Sequence, residues 1–122
     1  MSELDPRMKV YVVNIPYEDK SDSKTRPALV LSMSDGYIKL LKVTSDYDKK
    51  PEKIKELYYP IIEWQQAGLK KESYVDCHRT YNITTDYILR NKPVAKLTVN
   101  DKVGLHSFVK NLVDTGKIPF KG

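Results

Sequence analysis

Cysteine is almost missing from this sequence: Cys77 is the only one in 122 residues, so no intramolecular disulfide can form and a cysteine-based zinc site is disfavoured. Long apolar runs are missing too, none approaching the ~20 residues that span a bilayer. Residues 1–9 (MSELDPRMK) lack the apolar stretch of a signal peptide, so a cytoplasmic protein with no membrane contact is expected. The five glycines are single and lie at turns or element ends, which leaves no phosphate-cradling loop, and no GxSxG elbow is present. With only His78 and His106, no HExxH and no CxxC, there is no metal signature. Metal, cofactor and redox chemistry are therefore not expected.

What is present suits one small domain over residues 1–122, a length that buries ~65% of the unfolded surface without staples. Hydrophobic residues make up 40% and charged residues 30%, which excludes both a membrane protein and a wholly disordered chain. Lys and Arg number 21 against 16 Asp and Glu, a formal charge of +5 that favours an anionic partner. Nine tyrosines, able to stack on a base and still tolerate water, favour nucleic acid over a lipid surface.

Residues 9–15 (KVYVVNI) are rich in β-branched and aromatic side chains and predict a strand that stops at Pro16. Residues 17–25 (YEDKSDSKT) read as a charged surface loop, longer than a tight hairpin needs. Residues 27–33 (PALVLSM) and 37–44 (YIKLLKVT) predict two strands joined by a hairpin turn at Asp35-Gly36. Residues 46–55 (DYDKKPEKIK) form a second exposed excursion, residues 57–63 (LYYPIIE) an edge or bulged strand around Pro60, and residues 64–68 (WQQAG) one helical turn closed by glycine. Residues 73–79 (SYVDCHR) alternate as a strand, with Ser73, Val75 and Cys77 on one face and Tyr74, Asp76 and His78 on the other. The pattern from 81 to 99 is weak, with a short turn at 84–87 and a strand at 93–97 (PVAKL). Thr98 and Asp101 resemble a capping box, and Leu105, Phe108, Val109 and Leu112 mark one face of a helix that closes at Gly116. The order predicts a mainly β fold with some α, a small antiparallel barrel-like sheet with one packed C-terminal helix and no internal repeat.

Polar residues at strand ends are the candidates for chemistry. Arg26 lies where the charged loop meets the second strand and can offer a planar fork to a phosphate, although an ordinary surface arginine would look the same. Thr44 ends the third strand, where a hydroxyl can meet phosphate or merely occupy a strand position. Asp76 and His78 share a strand face about 7 Å apart, close enough for a carboxylate to hold an imidazolium near a reacting oxygen, or for a plain surface ion pair. His106, flanked by Lys102 and Lys110, reads as a solvated surface histidine, Cys77 as a small buried hydrophobe and Trp64 as core.

The chain also resembles the PemK/MazF/Kid group of toxins from toxin–antitoxin pairs. Residues 10–16 (VYVVNIP) look like the family's first strand, residues 25–32 (TRPALVLS) like its Arg-Pro motif, residues 67–75 (AGLKKESYV) like its Gly-Leu, spacer, Ser-x-Val stretch, and residues 88–97 (ILRNKPVAKL) before a helix like its ending. The resemblance implies an SH3-like antiparallel barrel, a homodimer, and a metal-independent endoribonuclease that cuts single-stranded RNA and arrests growth until a cognate antitoxin neutralises it. A protein antitoxin is expected before an RNA one. The resemblance carries the catalytic arginine onto Arg26 and the Thr or Ser after the third strand onto Thr44 or Ser45. The arginine and acidic positions that Kid-like members use on the late strand fall on Asp76 and His78, with Arg79 beside them as a replacement cation. Met8-Lys9 stands where the family usually has Gly-Asp.

RNA supplies its own nucleophile, the 2′-OH, so cleavage needs a base, donors for the phosphorane charge and an acid for the 5′ oxygen. Arg26 with Thr44 is expected to stabilise charge and His78 or Asp76 to move protons, giving a 2′,3′-cyclic phosphate and a 5′-OH. The loops at 17–25 and 46–55 are expected to admit the bases, and Tyr17, Lys20 and Lys24 on the first loop, with Ser45 and Arg79, are the candidate RNA contacts. The rival reading is a catalytically silent barrel in which Arg26 only binds phosphate.

Overall fold

The computed structural model describes residues 5–16 and 23–118. Along it run β1 (Lys9–Pro16), β2 (Ser23–Ser34), β3 (Tyr37–Thr44), α1 (Glu52–Lys55), β4 (Tyr58–Pro60), α2 (Trp64–Ala67), β5 (Tyr74–Thr84), α3 (Thr85–Leu89), β6 (Ala95–Lys96) and α4 (Val99–Asp114). The strands form one curled antiparallel sheet in the order β4-β5-β3-β2-β1-β6, a six-stranded half-barrel carrying the C-terminal helix. At the β2–β3 turn Asp35 and Gly36 take φ of 51° and 82°, the paired positive angles that a two-residue hairpin with the sheet's own twist demands.

Strands β2 and β3 read as nearly unbroken apolar runs because the sheet is covered on both sides. Leu29, Leu31, Leu41 and Val43 join the larger core with Leu105, Val109 and Leu112 of α4, while Ala28, Val30, Ile38 and Leu40 alternate onto the opposite face, where Tyr11, Val13 and Ile88 of α3 meet them. Residues 41 of β3 and 77–80 of β5 lie at a register break, since Leu40 pairs with Tyr81 but Lys42 with Asp76. Four residues of β5 thus oppose one of β3, an irregular bulge on which His78 and Arg79 are exposed.

Several elements differ from the sequence reading. The strand expected over 57–63 is limited to Tyr58–Pro60, flanked by hydrogen bonds from the Cys77 N–H to the Leu57 carbonyl and from the Ile61 N–H to the Ser73 carbonyl, so Pro60 does not interrupt the pairing, and the excursion at 46–55 contains the turn of helix α1. The capping box is half formed. Thr98 Oγ1 accepts the Asp101 N–H at 3.3 Å, but the Asp101 carboxylate turns away from the helix start. It is fully buried and accepts from the Tyr59 hydroxyl at 2.6 Å and from the Ile62 and Glu63 N–H groups at 3.0 and 2.8 Å. Gly104, one turn further on, is glycine because a Cβ there would lie 2.3 Å from the Tyr59 hydroxyl oxygen. Among the described residues no helix is long and apolar enough to cross a membrane.

Candidate functional site

The register that builds the sheet also gathers the site. Ala28, Lys42, Asp76 and Tyr58 are directly paired across four strands, so Lys42 and Asp76 share one face. Arg26 and Thr44 lie two residues along β2 and β3 and point the same way. Beyond the small apolar cluster of this face opens a cleft of ≈ 460 Å³ lined by Arg26, Pro27, Lys42, Val43, Thr44, Ser45, Asp46, Lys50, Tyr58, Lys71 and Asp76. Four of these side chains are cationic and two are carboxylates, and Asp46 is partly neutralised by Lys50 at 3.8 Å. The excess of positive charge in a concave site suits a phosphate.

Asp76 is buried to 9% exposure at the cleft wall, where its carboxylate accepts the His78 N–H at 2.9 Å and a hydrogen bond from the Tyr58 hydroxyl. Burial foremost, and then the negative charge of Asp76, push the Tyr58 phenol up to about 12, so it stays protonated and donates at neutral pH. Thr44 Oγ1 accepts the Asp46 N–H at 3.0 Å, which fixes the hydroxyl and leaves its proton available to the cleft. Such a set can bind a phosphate, donate to its oxygens and take a proton from a nearby hydroxyl.

Of the residues singled out from the sequence, Arg26, Thr44, Ser45 and Asp76 meet in this cleft. His78 does not line it. Its imidazole is exposed beyond the bulge, and its contact with Asp76 runs through the backbone N–H rather than the ring. Arg79 is exposed on the same bulge, and Tyr17, Lys20 and the side chain of Lys24 lie outside the described residues. Cys77 is buried, and burial pushes its thiol up to about 12, so it is no nucleophile at neutral pH. His106 is exposed on α4, away from the cleft, and Trp64 packs half-buried against the larger core. Among the described residues no group of three or more His, Cys, Asp or Glu stands close enough to hold a metal.

Sequence reasoning missed Lys42, Tyr58 and Lys71, and reached Lys50 only as part of the 46–55 loop expected to admit bases. Lys42 was accessible to it, since it stands two residues before Thr44 on the same strand face. Lys50 and Lys71 come from connections whose paths no periodicity encodes, and Tyr58 reaches the cleft only through the pairing of β4 with β5.

No protein-family model matches this chain, and no curated protein sequence does. Among solved structures it is similar to the Mycobacterium tuberculosis toxin MazF-mt6, with a TM-score of 0.55 and 17% identity over 90% of this chain and 100% of that one. The curled six-stranded sheet and its C-terminal helix are thus a MazF-like fold.

Proposed function

We propose that this protein is a toxin of a toxin–antitoxin pair, an endoribonuclease that cleaves single-stranded RNA without a metal. The observation that carries the reading is the convergence of Arg26, Thr44, Ser45 and Asp76 on one cationic cleft of a MazF-like fold. In the proposed reaction Asp76 takes the proton of a ribose 2′-OH, whose oxygen attacks the adjacent phosphorus. The bond from phosphorus to the 5′ oxygen breaks, and that oxygen leaves with a proton from Asp76 or water. Arg26 and the Thr44 hydroxyl donate to the equatorial oxygens of the phosphorane, where charge develops. The products are a 2′,3′-cyclic phosphate and a 5′-OH. A cognate antitoxin, protein rather than RNA, occupies the same basic face, and the active form is a homodimer.

The test is to induce the protein in bacteria, map new RNA 5′ ends, and repeat the cleavage in vitro in excess EDTA. Growth arrest, 5′-OH ends and EDTA-resistant cleavage are expected. Intact RNA in both settings would leave only the silent binding module, and cleavage restored solely by added Mg²⁺ or Mn²⁺ would refute the mechanism.

A further inference from the structure

An in-line displacement puts the entering 2′ oxygen and the leaving 5′ oxygen on opposite sides of phosphorus, so a carboxylate beside the first is turned away from the second. A second group must carry the proton across. The sheet register supplies one, because Tyr58 pairs with Asp76 across β4 and β5 and the two side chains leave one face roughly 5 Å apart at Cβ. Both residues line the cleft, and the Tyr58 hydroxyl is already hydrogen-bonded to the Asp76 carboxylate. The ring is held in place: Tyr58 is 6% exposed, and Tyr47 packs on it at a tilt of 52° with centroids 6.2 Å apart. Lys42 flanks Asp76 from the other strand, but its ammonium lies over the Tyr81 ring, 5.7 Å from the centroid.

The bond between these two residues has a direction, and the reaction reverses it. While Asp76 is a carboxylate it can only accept, and the phenol donates to it. Once Asp76 has taken the 2′-OH proton it can donate, so the phenol oxygen becomes the acceptor and its own O–H is released to the cleft. We propose that Tyr58 is the general acid of the reaction, giving its proton to the 5′ oxygen as the bond from phosphorus breaks and taking in exchange the proton that Asp76 removed from the 2′-OH. The assignment rests on the nuclease reading and adds to it the residue that protonates the leaving group. Protons pass from the 2′-OH to Asp76, from Asp76 to Tyr58 and from Tyr58 to the 5′ oxygen, so the carboxylate and the phenol both return to their starting states. Burial, and then the charge of Asp76, hold the phenol up at about 12, which keeps it from ionising early and leaves it a stronger acid than the alkyl alcohol it releases.

The experiment uses the whole protein and two RNA octamers spanning the mapped cut site, one natural and one with sulfur in place of the bridging 5′ oxygen, each followed in single turnover. A thiolate leaves without a proton, so the sulfur octamer needs the base and the phosphorane donors but no acid. Tyr58→Phe is expected to slow the natural octamer ~10²-fold or more and to cut the sulfur octamer at the rate of the unmodified protein. Asp76→Asn and Arg26→Ala should stay slow on both. A folded Tyr58→Phe protein that loses rate on both octamers, or on neither, would overturn the assignment, and sulfur rescue of Lys42→Met in its place would move the role to Lys42. If the phenylalanine variant is unstable, the solvent isotope dependence of the unmodified protein decides. Its rate should fall along a curve with deuterium content for the natural octamer, several protons moving together, and along a straight line for the sulfur one; the same shape for both overturns the relay. Each of these results leaves cleavage through Arg26 intact, whereas a protein that cuts no RNA overturns the assignment and the nuclease reading together.

Discussion

Replacing Arg26 with alanine should separate catalysis from binding. Arg26 is one of four cationic side chains around the cleft, with Lys42, Lys50 and Lys71, so its loss leaves three to attract the strand. For single-stranded RNA each neutralised phosphate contributes about −0.7 to the slope of log affinity against log salt. Four contacts correspond to a slope of about −2.8 and three to about −2.1, a modest change in binding. The chemical step is affected far more. A donor aimed at charge that develops only in the transition state is worth ~10²- to 10³-fold in kcat, and Arg26 is the only guanidinium among the described residues that line the cleft. Single-turnover cleavage of a labelled RNA, followed at several salt concentrations, measures both quantities on the same variant. Arg26→Lys should recover the salt slope but not the full rate, because an ammonium lacks the two-pronged geometry. Cleavage by Arg26→Ala at the unmodified rate would refute the assignment, and a rate loss matched by an equal loss of affinity would make Arg26 a binding residue only.

Asp76→Asn should reduce cleavage at all pH values, whereas His78→Ala, with its ring outside the cleft lining, should leave the pH profile unchanged; a flattened profile in His78→Ala would return the proton-transfer role to the imidazole. Alkaline stability follows from several groups raised in the folded protein, among them Tyr58 from 10.0 to about 12 and Cys77 from 9.0 to about 12, with Tyr59, Tyr11 and Tyr74 raised as well. Below pH 9 they are protonated, folded or unfolded, and contribute no pH dependence; between about 9 and 12 only the unfolded chain ionises, so urea midpoints should fall across that window and fall less in Tyr58→Phe. Asp101→Ala strands the Tyr59 hydroxyl and two backbone N–H groups and should cost about 3–5 kcal/mol in urea unfolding, a loss below about 1 kcal/mol refuting the clamp.

Much of the architecture was legible because local chemistry and global fold agree. Asp35-Gly36 specifies its turn by backbone conformation, Gly68 closes α2 at a φ of 103°, and Thr98 caps α4, each a signal confined to a few adjacent residues. The alternation of Tyr74 and Asp76 against Val75 was equally plain, and it led to the cleft. The bulge was not legible. Strict period two carries His78 onto the Asp76 face, but the register slips at residues 77–80, and nothing in SYVDCHR announces that four residues there oppose one. Asp101 was legible as a cap and illegible as a clamp, since its partners at residues 59, 62 and 63 are joined to it only by tertiary folding.

That clamp has a consequence for how the protein is made. Synthesis delivers the chain in one direction, and every described lining residue of the cleft, from Arg26 to Asp76, leaves the ribosome before Asp101. Yet the short β4 segment that carries Tyr58 to Asp76 is held from behind through Tyr59, 42 residues before its anchor. Until residue 101 has emerged, three donors around that segment have no carboxylate to bond, and the wall they support has no fixed place. A nascent chain therefore displays the cationic residues before it owns a finished cleft, and on the proposed nuclease reading the half-made molecule would lack the site needed to cut the RNA around it.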